Sequence, residues 1–384
     1  MRALPVPSGL AALSVLGDLR SALDGSGPAV APHALHSSPP AIPEDVGRLP
    51  PGLALTIATS GSSGRPKLAM LTRAALRASA DATHERLGGQ GTWLLTMPAH
   101  HIAGIQVLVR SLVADTTPVP MDLAGGFTTA AFTRATGQIA SGATAYTALV
   151  PTQLVRLLAS ADGRQALTRY DAVLLGGAAT AASLLAQARE AGVRVVTTYG
   201  MSETAGGCVY DGLALDVSFV RLEVDGRIRL GGATLAQGYL GDPALSEAAF
   251  AYDDTGRRWF LTDDVGHLDE GSLVVDGRID DLINTGGLKV VPHLVEEALT
   301  QLDDVAEAVV VGSPDPEWGQ VVSAAIVVTQ GNSPPKLDDV RGRLSGMLPG
   351  HALPRRLKTL PELPLRGPGK PDRAAVRRLF DHGN

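Results

Sequence analysis

Residues 53–67 read LALTIATSGSSGRPK and join a short apolar run to a loop of small and hydroxyl-bearing residues that ends in a lysine. The apolar run predicts a buried strand that delivers the loop to one edge of a sheet. In the loop, Gly61 and Gly64 allow backbone N–H groups to face one concavity, the hydroxyls add donors, and Lys67 adds a positive charge. The segment therefore predicts a cradle for a polyphosphate. Taken alone, such a loop is more often a solvent-exposed Gly/Ser turn, so the assignment depends on the rest of the chain.

The spacing of this loop excludes one common phosphate site. Pro66 stands five residues after Gly61, where a Walker A loop requires glycine, and neither Ser nor Thr follows Lys67. The chain is therefore not a P-loop nucleotidase by sequence.

Composition limits the class of protein and of partner. The chain has 384 residues, of which 45% are hydrophobic, enough for two or three domains with their own cores. Its net charge is −6 with both signs mixed along the chain, which argues against a nucleic-acid partner and a polybasic membrane anchor. The single cysteine, Cys208, excludes an internal disulfide. No run approaches the ~20 apolar residues of a membrane span, so we expect no stable membrane insertion and a cytoplasmic location.

Hydrophobic periodicity divides the chain into three regions. Between residues 53 and 200, apolar strands such as DAVLLGG and VRVVTTYG alternate with helical patterns, which predicts a mostly parallel α/β sheet covered by helices. After about residue 218, Asp-Gly turns between alternating apolar residues predict antiparallel hairpins. Beyond residue 282, the order helix, strand, strand, helix predicts a separate α+β domain. We also expect a surface helix at residues 1–20 and an irregular connection at residues 25–51, which are rich in Pro, Ser and Gly.

Five further side chains have chemistry that suits a nucleotide. In the motif YGMSETAGG, Tyr199 can stack on a base and Glu203 can ligate a magnesium ion that bridges phosphates. Asp264 can accept from both hydroxyls of a ribose, and Arg278 adds a second positive group. Near the C-terminus, GPGK places Lys370 on a loop flanked by glycine. Ligands of parallel α/β sheets bind at the carboxyl ends of the strands, which is where YGMSE is expected.

In this order, the phosphate loop, YGMSE, TDDVG, GRIDD and the terminal GPGK resemble the motif series of the adenylate-forming superfamily of acyl- and aryl-CoA synthetases, luciferase and peptide-synthetase adenylation domains. The resemblance covers about residues 53–375. It implies an α/β and α+β fold: a large N-terminal domain of mostly parallel sheets with helices and a small β-rich region at residues 1–277, a hinge at 278–281, and a small mobile α+β domain at 282–384. Two positions depart from the common pattern, because Ser202 replaces a threonine and Asp263 adds a carboxylate beside Asp264.

The resemblance implies a role for each matched residue. ATP would be bound by Thr59, Ser60, Gly61, Ser62, Ser63, Gly64, Lys67, Gly177, Ala178, Tyr199, Gly200, Met201, Ser202, Asp264 and Arg278. The catalytic residues would be Lys370, Ser202 and Glu203, of which Glu203 would also be the ligand of Mg²⁺. The coenzyme A tunnel would be lined by Gly286 and Gly287, the acyl pocket by His101, Gly176 and Gly177, and the hinge would be Asp280.

The reaction implied by the resemblance joins a small-molecule carboxylic acid to a thiol. The carboxylate attacks the α-phosphorus of ATP, and the thiol then attacks the carbonyl of the acyl-adenylate, so ATP, Mg²⁺ and coenzyme A are the expected cofactors. Cys208 is expected to be a small buried residue, because this mechanism needs no enzyme nucleophile.

The acid and the thiol are less closely specified than the reaction. The stretches ETAGGCVYDG and MPAHHIAGIQ look most like the o-succinylbenzoate–CoA ligases of menaquinone biosynthesis. Another acyl or aryl acid, a carrier-protein thiol as acceptor, and a non-catalytic nucleotide-binding protein stay open as alternatives. Relatives of this kind are often dimers, which leaves a homodimer open as well.

Overall fold

The computed structural model describes residues 1–42, 49–59, 66–365 and 371–381. The chain divides into two units. The first consists of Met1–Arg221, Arg229–Thr262 and Glu270–Leu273, and the second of Leu222–Ile228, Asp263–Asp269 and Val274–Asn384. The predicted domain boundaries at residues 277 and 281 stay predictions.

The first sheet carries the strands on either side of the phosphate loop. Its order is β1, β2, β3, β4, with β1 (Arg2–Val6), β2 (Val30–Ala34), β3 (Leu53–Thr59) and β4 (Lys67–Thr72). The pairs β1–β2 and β2–β3 are parallel, and β3–β4 is antiparallel. Thr59 pairs with Lys67 in the last ladder, so the two ends of the predicted phosphate loop lie side by side.

Two expectations for the N-terminal region are wrong in part. A strand, β1, occupies the start of the segment expected to be a surface helix, and β2 lies in the segment expected to be irregular. Val30 and Ala31 in β2 are fully buried. Both strands are short and contain proline, and their partners are distant in sequence, so local periodicity gives little sign of them.

The second sheet confirms the predicted parallel α/β region. Its order is β11, β10, β9, β8, β7, β5, β6, and the strands are β5 (Thr92–Leu95), β6 (Val119–Pro120), β7 (Ala145–Leu149), β8 (Ala172–Gly176), β9 (Val195–Met201), β10 (Gly206–Tyr210) and β11 (Leu213–Ala214). Strands β9, β8, β7, β5 and β6 pair in parallel with their neighbours in this order, whereas the pairs β9–β10 and β10–β11 are antiparallel.

Helices alternate with the strands of the first unit. They are α1 (Leu16–Asp24), α2 (Arg73–Leu87), α3 (Ile102–Val113), α4 (Thr129–Thr136), α5 (Pro151–Leu158), α6 (Ala161–Leu167), α7 (Ala182–Glu190) and α8 (Pro243–Ala249). At the start of α2, the side chain of Thr72 accepts a hydrogen bond from the Ala75 N–H at 3.1 Å, and α2 ends at Gly88, whose φ is 100°. Helix α2 is thereby fixed directly after β4.

A buried arginine, Arg110, lies among ring-bearing side chains where α3 packs on β5. The guanidinium of Arg110 lies 4.8 Å from the ring centroid of Trp93, and its Nη2 donates to the hydroxyl of Tyr210 at 3.3 Å. His84 is only 4% exposed, and neither of its ring nitrogens has a hydrogen-bond partner in the described part of the chain. Burial, assisted by the charge of Arg110, lowers the pKa of His84 to about 4. His84 is therefore neutral at pH 7.

The third sheet lies in the region predicted to be antiparallel. Its order is β12, β13, β15, β14, with β16 paired to β15, and the strands are β12 (Ser218–Leu222), β13 (Arg227–Gly232), β14 (Phe250–Tyr252), β15 (Arg258–Asp269) and β16 (Ser272–Arg278). The β14–β15 pair is antiparallel.

The fourth sheet and three helices form the predicted α+β region in the second unit. The sheet order is β18, β17, β20, β19, with β21 paired to β20; the strands are β17 (Ile283–Thr285), β18 (Leu288–Val290), β19 (Val305–Asp315), β20 (Gly319–Val328) and β21 (Arg356–Thr359). The helices are α9 (Pro292–Thr300), α10 (Leu337–Leu344) and α11 (Arg373–Asp381). Apolar residues of these elements form two core clusters of their own.

Candidate active site

The carboxyl ends of β8 and β9 lie side by side, because Gly176 pairs with Thr198 in their parallel ladder. A side chain at Gly176 is excluded, since a Cβ there would lie 2.3 Å from Thr198 Oγ1. Gly177 and Ala178 therefore leave β8 beside Tyr199, which follows Thr198 in β9. The structure thus brings together the three residues predicted to bracket a nucleotide base, at the sheet edge expected for a ligand.

A single 3₁₀ turn, Ser202–Thr204, follows β9 and carries the predicted magnesium ligand. All three of its residues are buried. Thr204 Oγ1 accepts from the Met201 N–H at 3.0 Å and donates to the carbonyl oxygen of Gly206 at 2.8 Å. This threonine was not singled out from the sequence, yet it fixes the backbone from which Glu203 projects.

Helices α2 and α3 hold the residue after this turn. Ala205 has the left-handed φ of 52°, and its carbonyl oxygen accepts hydrogen bonds from Ser79 Oγ at 3.0 Å and from Gln106 Nε2. The backbone of Gly206 also packs closely on Gly200, where a Cβ would lie 2.2 Å from the carbonyl oxygen of Gly206. Gly200 of YGMSETAGG is therefore required by backbone contact.

Glu203 is 7% exposed, and one of its partners comes from a segment that carries none of the motifs described above. The hydroxyl of Tyr239 donates to Oε1 of Glu203 at 2.9 Å. The ring centroid of Tyr239 lies 5.4 Å from Nζ of Lys67, at the end of the phosphate loop. One aromatic side chain thus contacts two of the predicted site residues.

Part of the predicted site lies outside the described residues. This applies to Ser60, Gly61, Ser62, Ser63, Gly64 and Lys370. The roles predicted for these residues stay predictions.

In the second unit, the predicted ribose ligand and its arginine are neighbours. Nη1 of Arg278 lies 3.7 Å from Oδ1 of Asp264. The additional carboxylate, Asp263, accepts from Arg227 at 2.9 Å and from Arg278 at 3.3 Å. Its negative charge is therefore compensated by two guanidinium groups. Asp280, the predicted hinge, lies in a 3₁₀ turn, with Oδ2 3.8 Å from Nη2 of Arg278.

The two glycines predicted to line a coenzyme A tunnel form the turn between β17 and β18. Their φ angles are 57° for Gly286 and 81° for Gly287, as in the tight hairpin turns that favour glycine. A Cβ on Gly286 would lie 2.7 Å from the ring of Trp318, whereas a Cβ on Gly287 would meet nothing within 4 Å. The Gly286 N–H also donates to the Trp318 carbonyl oxygen at 2.9 Å.

His101 precedes α3 at its N-cap position and is exposed. Its ring centroid lies 4.1 Å from that of His100. Burial, assisted by His101 and His33, lowers the pKa of His100 to about 4, so His100 is neutral at pH 7. Both histidines lie in the connection that follows β5. The role of His101 in an acyl pocket stays a prediction.

Cys208 is a packing residue of β10, as expected. It is 1% exposed, and burial raises the pKa of its thiol to about 12. The thiolate needed for nucleophilic attack is therefore not formed near neutral pH.

Comparison with protein families identifies the chain. A model of AMP-binding enzymes matches residues 27–227, and a model of the AMP-binding enzyme C-terminal domain matches residues 294–370. The chain belongs to the AMP-binding enzyme family.

This AMP-binding enzyme is similar along its whole length to a probable 2-succinylbenzoate–CoA ligase of Mycobacterium tuberculosis, with 46% identity over 384 residues that cover 99% of this chain and 98% of the relative. Among solved structures it is similar to wild-type E. coli MenE with a bound m-phenylether-linked analogue of OSB-AMS, at 27% identity and a TM-score of 0.66, covering 90% of this chain and 72% of that one. It is also similar to the amide bond synthetase McbA of Marinactinospora thermotolerans, at 26% identity and a TM-score of 0.78, covering 99% and 80%. The predicted adenylate-forming fold is confirmed.

Proposed function

We propose that this AMP-binding enzyme converts o-succinylbenzoate, ATP and coenzyme A to o-succinylbenzoyl-CoA, AMP and pyrophosphate, as a step of menaquinone biosynthesis. The observation that carries the proposal is the 46% identity, along both chains, with a protein named as a probable 2-succinylbenzoate–CoA ligase. Fold alone is not sufficient, because a protein of the same fold is an amide bond synthetase.

In the first step, a carboxylate oxygen of the acid bonds to the α-phosphorus of ATP, and the bond from that phosphorus to the pyrophosphate oxygen breaks. Two anions must be held together while charge builds on the phosphoryl oxygens, so positioning and positive charge are the main requirements. We assign the base to Tyr199 with Gly177 and Ala178. Lys67 and Lys370 supply positive charge at the phosphates.

The magnesium ion expected with ATP fits the chemistry of Glu203. Mg²⁺ is usually held by one or two carboxylates together with substrate phosphates, rather than by a cage of protein ligands alone. Among the described residues there is no group of three or more His, Cys, Asp or Glu that could hold a metal. When bound, Mg²⁺ neutralises charge on the phosphate oxygens.

In the second step, the thiol sulfur of coenzyme A bonds to the carbonyl carbon of the acyl-adenylate, the bond from that carbon to the phosphate oxygen breaks, and AMP leaves while the thiol proton passes to solvent. We assign the approach of the thiol to the Gly286–Gly287 turn, where the space beside Gly287 is open and the ring of Trp318 packs on Gly286. Asp280 is the position at which we expect backbone rotation between the two steps, with Lys370 serving only the first.

The test is pyrophosphate release from ATP and Mg²⁺ with o-succinylbenzoate, compared with benzoate and with a medium-chain fatty acid, each with and without coenzyme A. We expect release, and a thioester that requires coenzyme A, with o-succinylbenzoate alone. Release with another acid would reject o-succinylbenzoate as the specific substrate. Release without formation of a thioester would reject coenzyme A as the acceptor.

Three further properties stay predictions from the sequence: a cytoplasmic location, the absence of a nucleic-acid partner, and a homodimer. Within the described ranges, no helix combines the length and apolar character that a membrane span requires.

A further inference from the structure

A short segment between β13 and α8, residues 236–240, forms backbone hydrogen bonds with β4, which begins at Lys67, and with Glu203. The N–H of Gln237 donates to the carbonyl oxygen of Met70, and the Met70 N–H donates to that of Gly238, at 2.8 and 2.9 Å. The Leu240 N–H donates to the carbonyl oxygen of Leu68 at 2.9 Å. The segment is thus bonded along β4, which begins at Lys67.

The same segment is bonded to the backbone of Glu203. The Ala236 N–H donates to the carbonyl oxygen of Glu203 at 2.8 Å. Arg258 closes the other side of the segment, since its Nη1 donates to the Ala236 carbonyl oxygen at 2.7 Å and its Nη2 to that of Gln237 at 2.9 Å. The backbone on which Tyr239 stands is therefore fixed relative to both β4 and Glu203.

The side chain of Tyr239 is held as firmly as its backbone. Tyr239 is 5% exposed and packs edge-on against Phe250, with the ring centroids 5.8 Å apart. Ser246 Oγ accepts from the Tyr239 N–H at 2.8 Å. Gly238 is required just before it, because a Cβ there would lie 2.7 Å from Ser246 Oγ. The hydroxyl of Tyr239 is thereby directed toward Oε1 of Glu203.

We propose that Tyr239 is a positioning residue that orients the Glu203 carboxylate for the magnesium ion of ATP, while its ring supports Lys67. This inference rests on the proposed function. A hydrogen bond to one carboxylate oxygen fixes the plane of the group, and with it the position of the other oxygen. The ring face toward Lys67 attracts the ammonium group through the aromatic quadrupole. One side chain thereby sets the relative position of an anionic and a cationic group that serve the same polyphosphate.

The two contacts can be separated by substitution. Tyr239→Phe removes the hydroxyl and keeps the ring, whereas Tyr239→Leu removes both. Tyr252→Phe is the matched control, because Tyr252 is 71% exposed and lies in the same unit. The measurement is ATP binding by titration calorimetry in the absence of acid, once with Mg²⁺ and once with EDTA, so that the gain in affinity due to Mg²⁺ is obtained without turnover.

We expect Tyr239→Phe to reduce the gain in ATP affinity due to Mg²⁺ by about tenfold, the usual effect of removing a partner of a metal ligand, while ATP binding in EDTA stays unchanged. Tyr239→Leu should in addition weaken binding in EDTA. In a Glu203→Gln background, Tyr239→Phe should have no further effect, because the carboxylate it orients is gone.

Three results would overturn the inference. An unchanged Mg²⁺ gain in Tyr239→Phe would reject the role of the hydroxyl, and equal losses with Mg²⁺ and with EDTA would indicate a merely structural residue. A Mg²⁺ gain that is missing in the unaltered protein would reject the proposed function itself, and with it this role. Calorimetric unfolding of each variant shows whether a loss of binding reflects a loss of folded protein.

Discussion

Arg373 forms two hydrogen bonds with the carboxylate of Glu296, at 2.6 and 2.9 Å, and so fixes the first residue of α11 to α9. The carbonyl oxygen of Val310 accepts a third hydrogen bond from the same guanidinium at 2.6 Å, and Asp281 lies 3.5 Å from its Nε. The planar guanidinium thus connects a helix, a strand and the turn that contains Asp280 within the second unit.

Arg373→Met should therefore lower the free energy of unfolding by about 2–3 kcal/mol, because Glu296 would keep a largely buried charge without its partner. The free energy of unfolding of Arg373→Lys should lie between those of the unaltered protein and Arg373→Met, since an ammonium group keeps the charge but cannot form the paired hydrogen bonds. Calorimetric unfolding measures both. The control is Arg378→Met on the exposed side of α11, with an expected change within about 0.5 kcal/mol; an equal effect of the two Met substitutions would contradict the role of the pair.

Acid should destabilise the protein through His84. Above pH 6.5 the residue is neutral in both the folded and unfolded states; between pH 6.5 and about 4 the unfolded chain binds a proton that the folded chain does not. The contribution of His84 to stability is thus fully present above the pKa of the unfolded chain. It falls as the pH decreases through this window and is constant again below the pKa of the folded chain. The loss at pH 5 should be about 1–2 kcal/mol. His84→Gln should make the Tm less sensitive to pH between 7.5 and 5; an unchanged slope would count against His84.

Gly286→Ala should impair thioester formation more than Gly287→Ala. Both glycines have positive φ, so both substitutions strain the turn, but only the Cβ at 286 would collide with the ring of Trp318. We expect about a tenfold slower thioester formation for Gly286→Ala, as small displacements within a reactive site can produce, and a smaller effect for Gly287→Ala. Single-turnover transfer from preformed acyl-adenylate to coenzyme A measures this step. Equal rates for the two variants would show that the Trp318 contact is unimportant.

Asp280→Pro should preserve adenylate formation and abolish thioester formation. Proline restricts φ and removes the backbone N–H, so a backbone rotation at this position would be prevented. Pyrophosphate release in the absence of coenzyme A measures the first step, and thioester yield measures the second. Similar losses in the two steps would reject Asp280 as the hinge.

Cys208→Ala should retain activity within about twofold, since a buried thiol with a raised pKa cannot serve as a nucleophile. Steady-state thioester formation is the measurement. Complete loss of activity in a variant with an unaltered Tm would restore the possibility of covalent catalysis at this residue.

The parts of the fold predicted from sequence are those with strong local signals. Strand β8 is an apolar run that ends in glycine, and β9 begins with β-branched residues and leads into the YGMSE motif, so both their type and the edge that carries Gly177 and Tyr199 could be predicted. Strands β1 and β2 could not, because their stability comes from pairing with distant segments.

The same limit applies to the site. Glu203 could be identified by its motif, but Tyr239 lies 36 residues further along the chain, and only the folded backbone reveals their hydrogen bond. From the sequence, Asp263 could be recognised only as an additional carboxylate beside Asp264. Its pairing with Arg227 and Arg278 depends on strand register, which hydrophobic patterning does not specify.

The packing of Trp318 on Gly286 provides an optical probe of the second unit. The chain has three tryptophans, and Trp93 and Trp259 both belong to the first unit. The ring of Trp318 packs on Gly286, and the guanidinium of Arg355 lies 4.3 Å from its centroid. In a protein with Phe at positions 93 and 259, all indole emission would therefore originate beside the β17–β18 turn. Its wavelength and intensity would follow the arrival of a ligand at that turn in real time, without a label.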